Sequence, residues 1–202
     1  MKAKINLVLL SIFLLNTSVI AGDFLSGKLV FKDGKELKGL IKPINPTDEE
    51  IVFKSSETSK KEEYESNLIE RIYIFFPRET AEYVRLKTYN TSHKKIYPAV
   101  WLMVLEKGYT SLYFALVDGG MSMSGSIIPS DKYWFCHRPD EPAASPVSWV
   151  IGKINANMFF KLKASKYFSD YLELSEKIKN KTYKYDQINF VVKKYNEWKV
   201  AN

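Results

Sequence analysis

Among its 202 residues the chain has one cysteine, two histidines and only four arginines. Each shortage excludes something. A single cysteine cannot form an internal disulfide, so the fold must be held by packing. In Tyr133-Trp134-Phe135-Cys136 the thiol reads as a small buried hydrophobe. His137 follows it, but neighbours on a strand point to opposite faces, which makes a Cys–His pair poor. There is no H-x-x-x-H, no paired cysteine and no D-x-D-x-D-G loop, so no metal site is expected. The one grouping the inventory offers is His137 with Asp140 and Glu141 at a surface. No G-x-G-x-x-G, Walker loop or G-x-S-x-G occurs either. Gly119-Gly120 and Gly125 lack the phosphate-binding lysine, and Ser124-Gly125-Ser126 lacks a strand-to-helix elbow. No catalytic residue is nominated and no cofactor is expected. Arginine's planar fork is the usual reader of phosphates. Four arginines against twenty-six lysines therefore argue against a nucleic-acid partner.

What is present begins with a leader. Lys2 and Lys4 precede an apolar run, Leu7 to Leu15, and then a small-residue segment ending at Ala21. This is the three-part pattern of a secretory signal peptide over residues 1–21, with cleavage expected between Ala21 and Gly22. Nine apolar residues are too few to cross a hydrocarbon core of about 30 Å, although a short anchor is the alternative. No later run approaches a membrane span. The expectation is an exported chain without a transmembrane segment after cleavage, placed in the periplasm, at the outer membrane, or outside the cell.

The next residues alternate in strand fashion. Lys28 to Lys32 and Glu36 to Ile41 flank Asp33-Gly34 as a hairpin. Ile51 to Phe53 is a third strand, and 55–63 reads as a polar loop tip. Ile69 to Phe76 and Glu82 to Tyr89 follow, with a polar turn over Asn90 to Lys95. Residues 99–117 read as a core hairpin, 118–126 as a loop, and Asp131 to His137 as one more strand. Three prolines within Arg138 to Pro146 mark a linker.

Beyond it the period changes. Val147, Trp149 and Ile151 suit a strand, whereas Ser145-Pro146 would suit a helix start; the strand is favoured. Met158, Phe159 and Leu162 recur at helical spacing. Asp170 and Glu173 look like a capping box, with Tyr171, Leu174 and Ile178 on one face. Ile188, Val191, Val192, Tyr195 and Trp198 form the clearest amphipathic stripe. The fold class expected is α+β: a β-rich domain over 22–138 in the form of a small barrel or sandwich, a linker over 139–146, and a helical region of two to three helices over 147–202. Residues 153–202 carry eleven lysines and five acids, a net of +6. That surplus reads as a solvated helical face, or as a surface for anionic lipid or polysaccharide.

Gly27 to Ile41 with Ile51 and Phe53, Glu106-Lys107-Gly108 to Leu112-Tyr113, and Phe168-Ser169-Asp170 to Tyr195-Asn196 also form a familiar series. In these segments the chain resembles a family of uncharacterised exported proteins common in Bacteroidota, though it has Tyr171-Leu172 where such proteins often have Cys-Pro. The resemblance implies an envelope protein with a β-rich first part and a helical end, and no assigned reaction. The function expected is a non-catalytic cell-envelope protein, structural or interacting with an envelope protein or a glycan. The alternative is a carbohydrate- or lipid-binding module using exposed aromatics and the lysine-rich end. Trp134 and Trp149, flanking the linker, are the candidate ligand-binding residues, while Trp101 and Trp198 read as buried.

Overall fold

A computed structural model describes residues 24–117, 131–151 and 156–202. The leader, the Ala21–Gly22 cleavage position and the loop over 118–126 lie outside these residues. The fold is α+β. Ten antiparallel strands form one open sheet, and three helices follow. The strands are β1 Leu25–Phe31, β2 Glu36–Ile41, β3 Glu50–Lys54, β4 Glu62–Glu65, β5 Ile69–Phe75, β6 Thr80–Tyr89, β7 Ile96–Glu106, β8 Ser111–Val117, β9 Asp131–His137 and β10 Ser145–Val150. They lie side by side in the order β10-β9-β8-β7-β6-β5-β1-β2-β3-β4.

Local chemistry sets the first hairpin. Gly34 takes φ +88°, a conformation that costs an L side chain but not glycine. The Asp33 carboxylate accepts from the Lys35 amide at 2.9 Å and fixes the turn. Alternation then sends Leu29 and Phe31 inward, where they meet Ile41, Ile51, Phe53, Ile69, Ile72, Ile74 and Trp101 in one core.

The connectivity requires this sheet to curl. β4 and β5 are four places apart in the strand order, about 19 Å in a flat sheet. The chain from Glu65 to Ile69 can cover only about 14 Å. The other end curls as well. Tyr89 donates to the Ala144 carbonyl at 2.8 Å and Ala144 to the Lys87 carbonyl at 2.9 Å, joining β6 to the start of β10 across three intervening strands.

The helices are α1 Ala156–Tyr167, α2 Leu172–Lys179 and α3 Ile188–Ala201. They bury Phe160, Phe168, Leu174, Ile178, Ile188, Val191, Val192 and Tyr195 against Leu112 of β8, Cys136 of β9 and Val147 of β10. No helix among the described residues is long and apolar enough to cross a membrane.

Several expectations need correction. The boundary at 139–146 is not a free linker in its second half. Ala143, Ala144, Ser145 and Pro146 are buried, and β10 continues the sheet. Pro146 stands where the β9–β10 register shifts, a place in which a missing N–H is tolerated. Residues 147–150 lie in β10, as the strand reading of Val147 and Trp149 expected, although they fall inside the span given to the helical region. Glu62–Glu65 is a strand and not part of a loop tip, because Tyr64 packs edge-on against Phe31 at 5.2 Å and Phe53 at 6.1 Å.

On α1 the inward face is Ala156, Phe160 and Ala164, whereas Met158 and Leu162 are 50% and 58% exposed. The small Ala156 and Ala164 let the helix lie close to its neighbours, and that outweighs the larger apolar side chains two positions away. Asp170 caps nothing; its carboxylate is engaged by Tyr195 and Arg138. Trp198 is half-buried, stacked on Tyr171 at 4.7 Å.

Candidate functional site

Alternation along β8 and β9 divides the sheet into two faces. Leu112 and Cys136 meet the helices, while Tyr113, Ala115, Tyr133 and Phe135 face the other way. On that second face lies a cleft of about 410 Å³, within the usual range for small-ligand sites. Tyr89, Tyr97, Val100, Tyr133, Phe135 and Pro146 line it, and Thr47, Asn90 and Thr91 contribute polar groups. No charged side chain lines it among the described residues. Such a cavity can seat an uncharged ligand with an apolar face and a few hydroxyl or amide groups.

The turn over Asn90 to Lys95 supplies one side of the cleft. The Asn90 side-chain oxygen accepts from the amides of Lys94 and Lys95 at 2.8 and 3.2 Å. His93 sits at φ +61°, stacks on Tyr89 at 4.4 Å, and places Nε2 3.0 Å from Ser145 Oγ. Burial lowers the pKa of His93 below its ordinary 6.5; Lys163 and Lys166 act in the same sense and Glu141 opposes them.

A proton therefore binds the unfolded chain more readily than the folded one. The stability contributed by neutral His93 is complete above pH 6.5 and is lost as pH falls through the lower folded value. From about pH 7.5 to about pH 5 the native chain should lose more thermal stability than His93→Asn, a residue that tolerates the left-handed backbone. Equal losses in calorimetry would remove His93 from the account.

The densest polar chemistry lies elsewhere, where β9 meets the helices. The Arg138 guanidinium lies 4.6 Å from the Tyr167 ring and 4.9 Å from the Tyr195 ring. It donates to the Tyr167 carbonyl at 2.9 Å and to Asp170 Oδ1 at 3.2 Å. Tyr195 donates to Asp170 Oδ2 at 2.6 Å, and Tyr167 to Glu141 Oε2 at 2.8 Å. Beside them, the Asn196 side chain exchanges two hydrogen bonds with the backbone of Thr110, at 2.8 and 2.9 Å.

Burial raises the pKa of Tyr195, and so does its bond to Asp170. Burial likewise raises Tyr167, helped by Cys136 and Glu141. Both phenols stay protonated as donors. Burial pushes the fully buried Cys136 thiol well above its usual range, with Glu141 adding to the effect. A thiol held protonated is a poor nucleophile. His137 turns its Nε2 to the Glu141 carbonyl at 2.9 Å, away from any shared proton with Cys136. The guanidinium, the two phenols and the two carboxylates already have partners, so the cluster acts as a clamp between sheet and helices.

The structure does not bring Trp134 and Trp149 together as a surface pair. Trp149 is 5% exposed, stacked on Phe159 of α1 at 4.0 Å. Trp134 is partly buried between Phe114 at 5.3 Å and Tyr185 at 5.7 Å. Neither lines the cleft. Size and position beside prolines suggested exposure; an edge strand covered by α1 gave burial. Tyr133 and Phe135 could have been found from the β9 alternation. Tyr97 had no sequence signal, since only the curl brings β7 to the turn at 90–95. Among the described residues no three His, Cys, Asp or Glu side chains gather as a metal site. No family model, curated protein or solved structure matches the chain.

Proposed function

We propose that this chain is an exported, non-catalytic cell-envelope protein that works by binding, and that the uncharged cleft takes a glycan segment. In this reading residues 1–21 are a leader cut between Ala21 and Gly22, and the chain belongs with the uncharacterised exported proteins it resembles. The first five strands, which must curl, then close as a small barrel around the core of Leu29, Ile72 and Trp101.

The observation that carries the binding reading is the lining of the cleft. Sugar rings present C–H faces that pack on aromatic rings and hydroxyls that need polar partners. Tyr97 and Tyr133 offer the first. Thr47 and Thr91, whose hydroxyls have no partner among the described residues, offer the second. A charged ligand would find no counter-charge there. The clamp around Arg138 supports the non-catalytic part, because its groups are spent on one another.

The test is a glycan array followed by calorimetry on the purified chain. Tyr97 is 44% exposed, so Tyr97→Ala should leave the fold intact while weakening binding at least about tenfold, or 1.4 kcal/mol. An array without a retained glycan would end the glycan reading. Turnover of a hydrolase substrate that disappears with a cleft substitution would end the non-catalytic one.

A further inference from the structure

A second concave site is carried by the helices and is independent of the cleft. Between α1 and the connection from α2 to α3 runs a groove of about 420 Å³. Its apolar surface comes from Met158, Leu162 and Tyr183 over the buried Ile178, and its cations are Lys161, Lys181 and Lys184. No acidic residue lines it, and none of these three lysines has an ion pair among the described residues. Elsewhere on the helices Lys177, Lys179 and Lys193 are paired with Glu173, Glu176 and Glu106.

The spacing on α1 is orderly. Met158 and Leu162 are one turn apart, with Lys161 beside them, so one helix face presents apolar and cationic groups together. Facing it, Lys181 is held in the left-handed region at φ +65°, which L side chains rarely adopt. That conformation ends α2 and sets Lys181 on the groove beside Lys184.

We infer that this groove docks an acidic amphipathic helix of another protein: apolar side chains at i and i+4 seat on Met158 and Leu162, and carboxylates flank them toward Lys161, Lys181 and Lys184. Charge complementarity and concavity select this occupant. A helix inserted in a groove uses apolar floor and cationic flanks at once. An anionic bilayer presents a broad plane that cannot follow a groove between two helical elements.

The experiment uses the purified chain and a fluorescein-labelled synthetic peptide of about eighteen residues, with leucines at helical spacing and glutamates elsewhere. Fluorescence anisotropy should show saturable binding. Lys161→Glu combined with Lys184→Glu should weaken it at least about tenfold, and Leu162→Ser should weaken it about threefold or more. Lys38→Glu with Lys42→Glu, the same charge change at an exposed position of β2 and at the exposed residue just after it, should leave it within about twofold. Circular dichroism confirms that the variants are folded, as expected for substitutions at the surface.

Equal weakening by both double variants would show attraction to net charge alone and overturn the proposal. So would an effect of the lysines without one of Leu162. Absence of peptide binding overturns it as well, and vesicles of phosphatidylglycerol then serve as a separate arm. Lysine-dependent binding to them would assign the face to a membrane.

Discussion

Arg138→Ala is expected to lower the unfolding free energy by about 3 kcal/mol, and Arg138→Lys by about 2 kcal/mol. Among the described residues the guanidinium is the one cation placed between two tyrosine rings, and it supplies charged hydrogen bonds to the Tyr167 carbonyl and to Asp170. Such bonds contribute about 1.5–3 kcal/mol each when part-buried, and each ring contact adds about 0.5–1 kcal/mol. The full sum is not lost on truncation. The Asp170 side chain is 40% exposed and keeps the Tyr195 hydroxyl as a donor, so water and phenol replace part of what Arg138 gave. Lysine keeps the charge but cannot address a carbonyl and a carboxylate while lying flat between two rings. Urea unfolding followed by tryptophan fluorescence measures both variants. A loss under about 0.5 kcal/mol for alanine would mean that the helices are held by apolar packing alone.

Part of this fold is legible in the amino-acid pattern itself. The β1–β2 hairpin was legible because Asp33-Gly34 has one economical conformation and the flanking residues alternate cleanly. The stripe of α3 was legible because Ile188, Val191, Val192 and Tyr195 repeat at helical spacing and all four are buried. Alternation fails where both kinds of neighbour are covered. Ala143 to Trp149 is almost wholly buried, since the residues before β10 pair with β6 while α1 covers the strand itself. Pro139, Pro142 and Pro146 imitated a linker, although within Arg138 to Pro146 the residues from Ala143 on are buried.

The apolar side chains of α1 misled for the opposite reason. Alanine, not leucine, marks its buried face, and the exposed Met158 and Leu162 then belong to the groove. The candidate cleft was the least legible feature. Its walls come from β6, β7, β8, β9 and the start of β10, and only the curl that brings Ala144 to Thr88 assembles them. Curl is a property of the whole strand order, and no local pattern in the chain carries it.

Trp101→Ala is expected to have the largest effect of any single substitution, about 4 kcal/mol, while Trp101→Phe should cost about 1–2 kcal/mol. Trp101 is 1% exposed in β7, yet it belongs to the core formed by β1, β2, β3 and β5. Its indole Nε1 donates to Ser66 Oγ at 2.9 Å, and that hydroxyl donates to the Asp48 carbonyl at 2.8 Å. Its amide donates to the Pro46 carbonyl at 2.8 Å. Ser66 follows β4, six places from β7 in the strand order, about 29 Å away if the sheet were flat. One side chain therefore ties the far edge of the sheet to its middle.

Alanine would leave a cavity where the ring was and strip the buried Ser66 hydroxyl of its donor. Phenylalanine would fill most of the volume and lose only the N–H. The difference between the two variants in urea unfolding thus separates packing from hydrogen bonding. If the two lose the same, the polar tie dominates. If alanine costs under about 2 kcal/mol, the sheet can relax into the space, and its curl is set by the short β4–β5 connection without help from the indole.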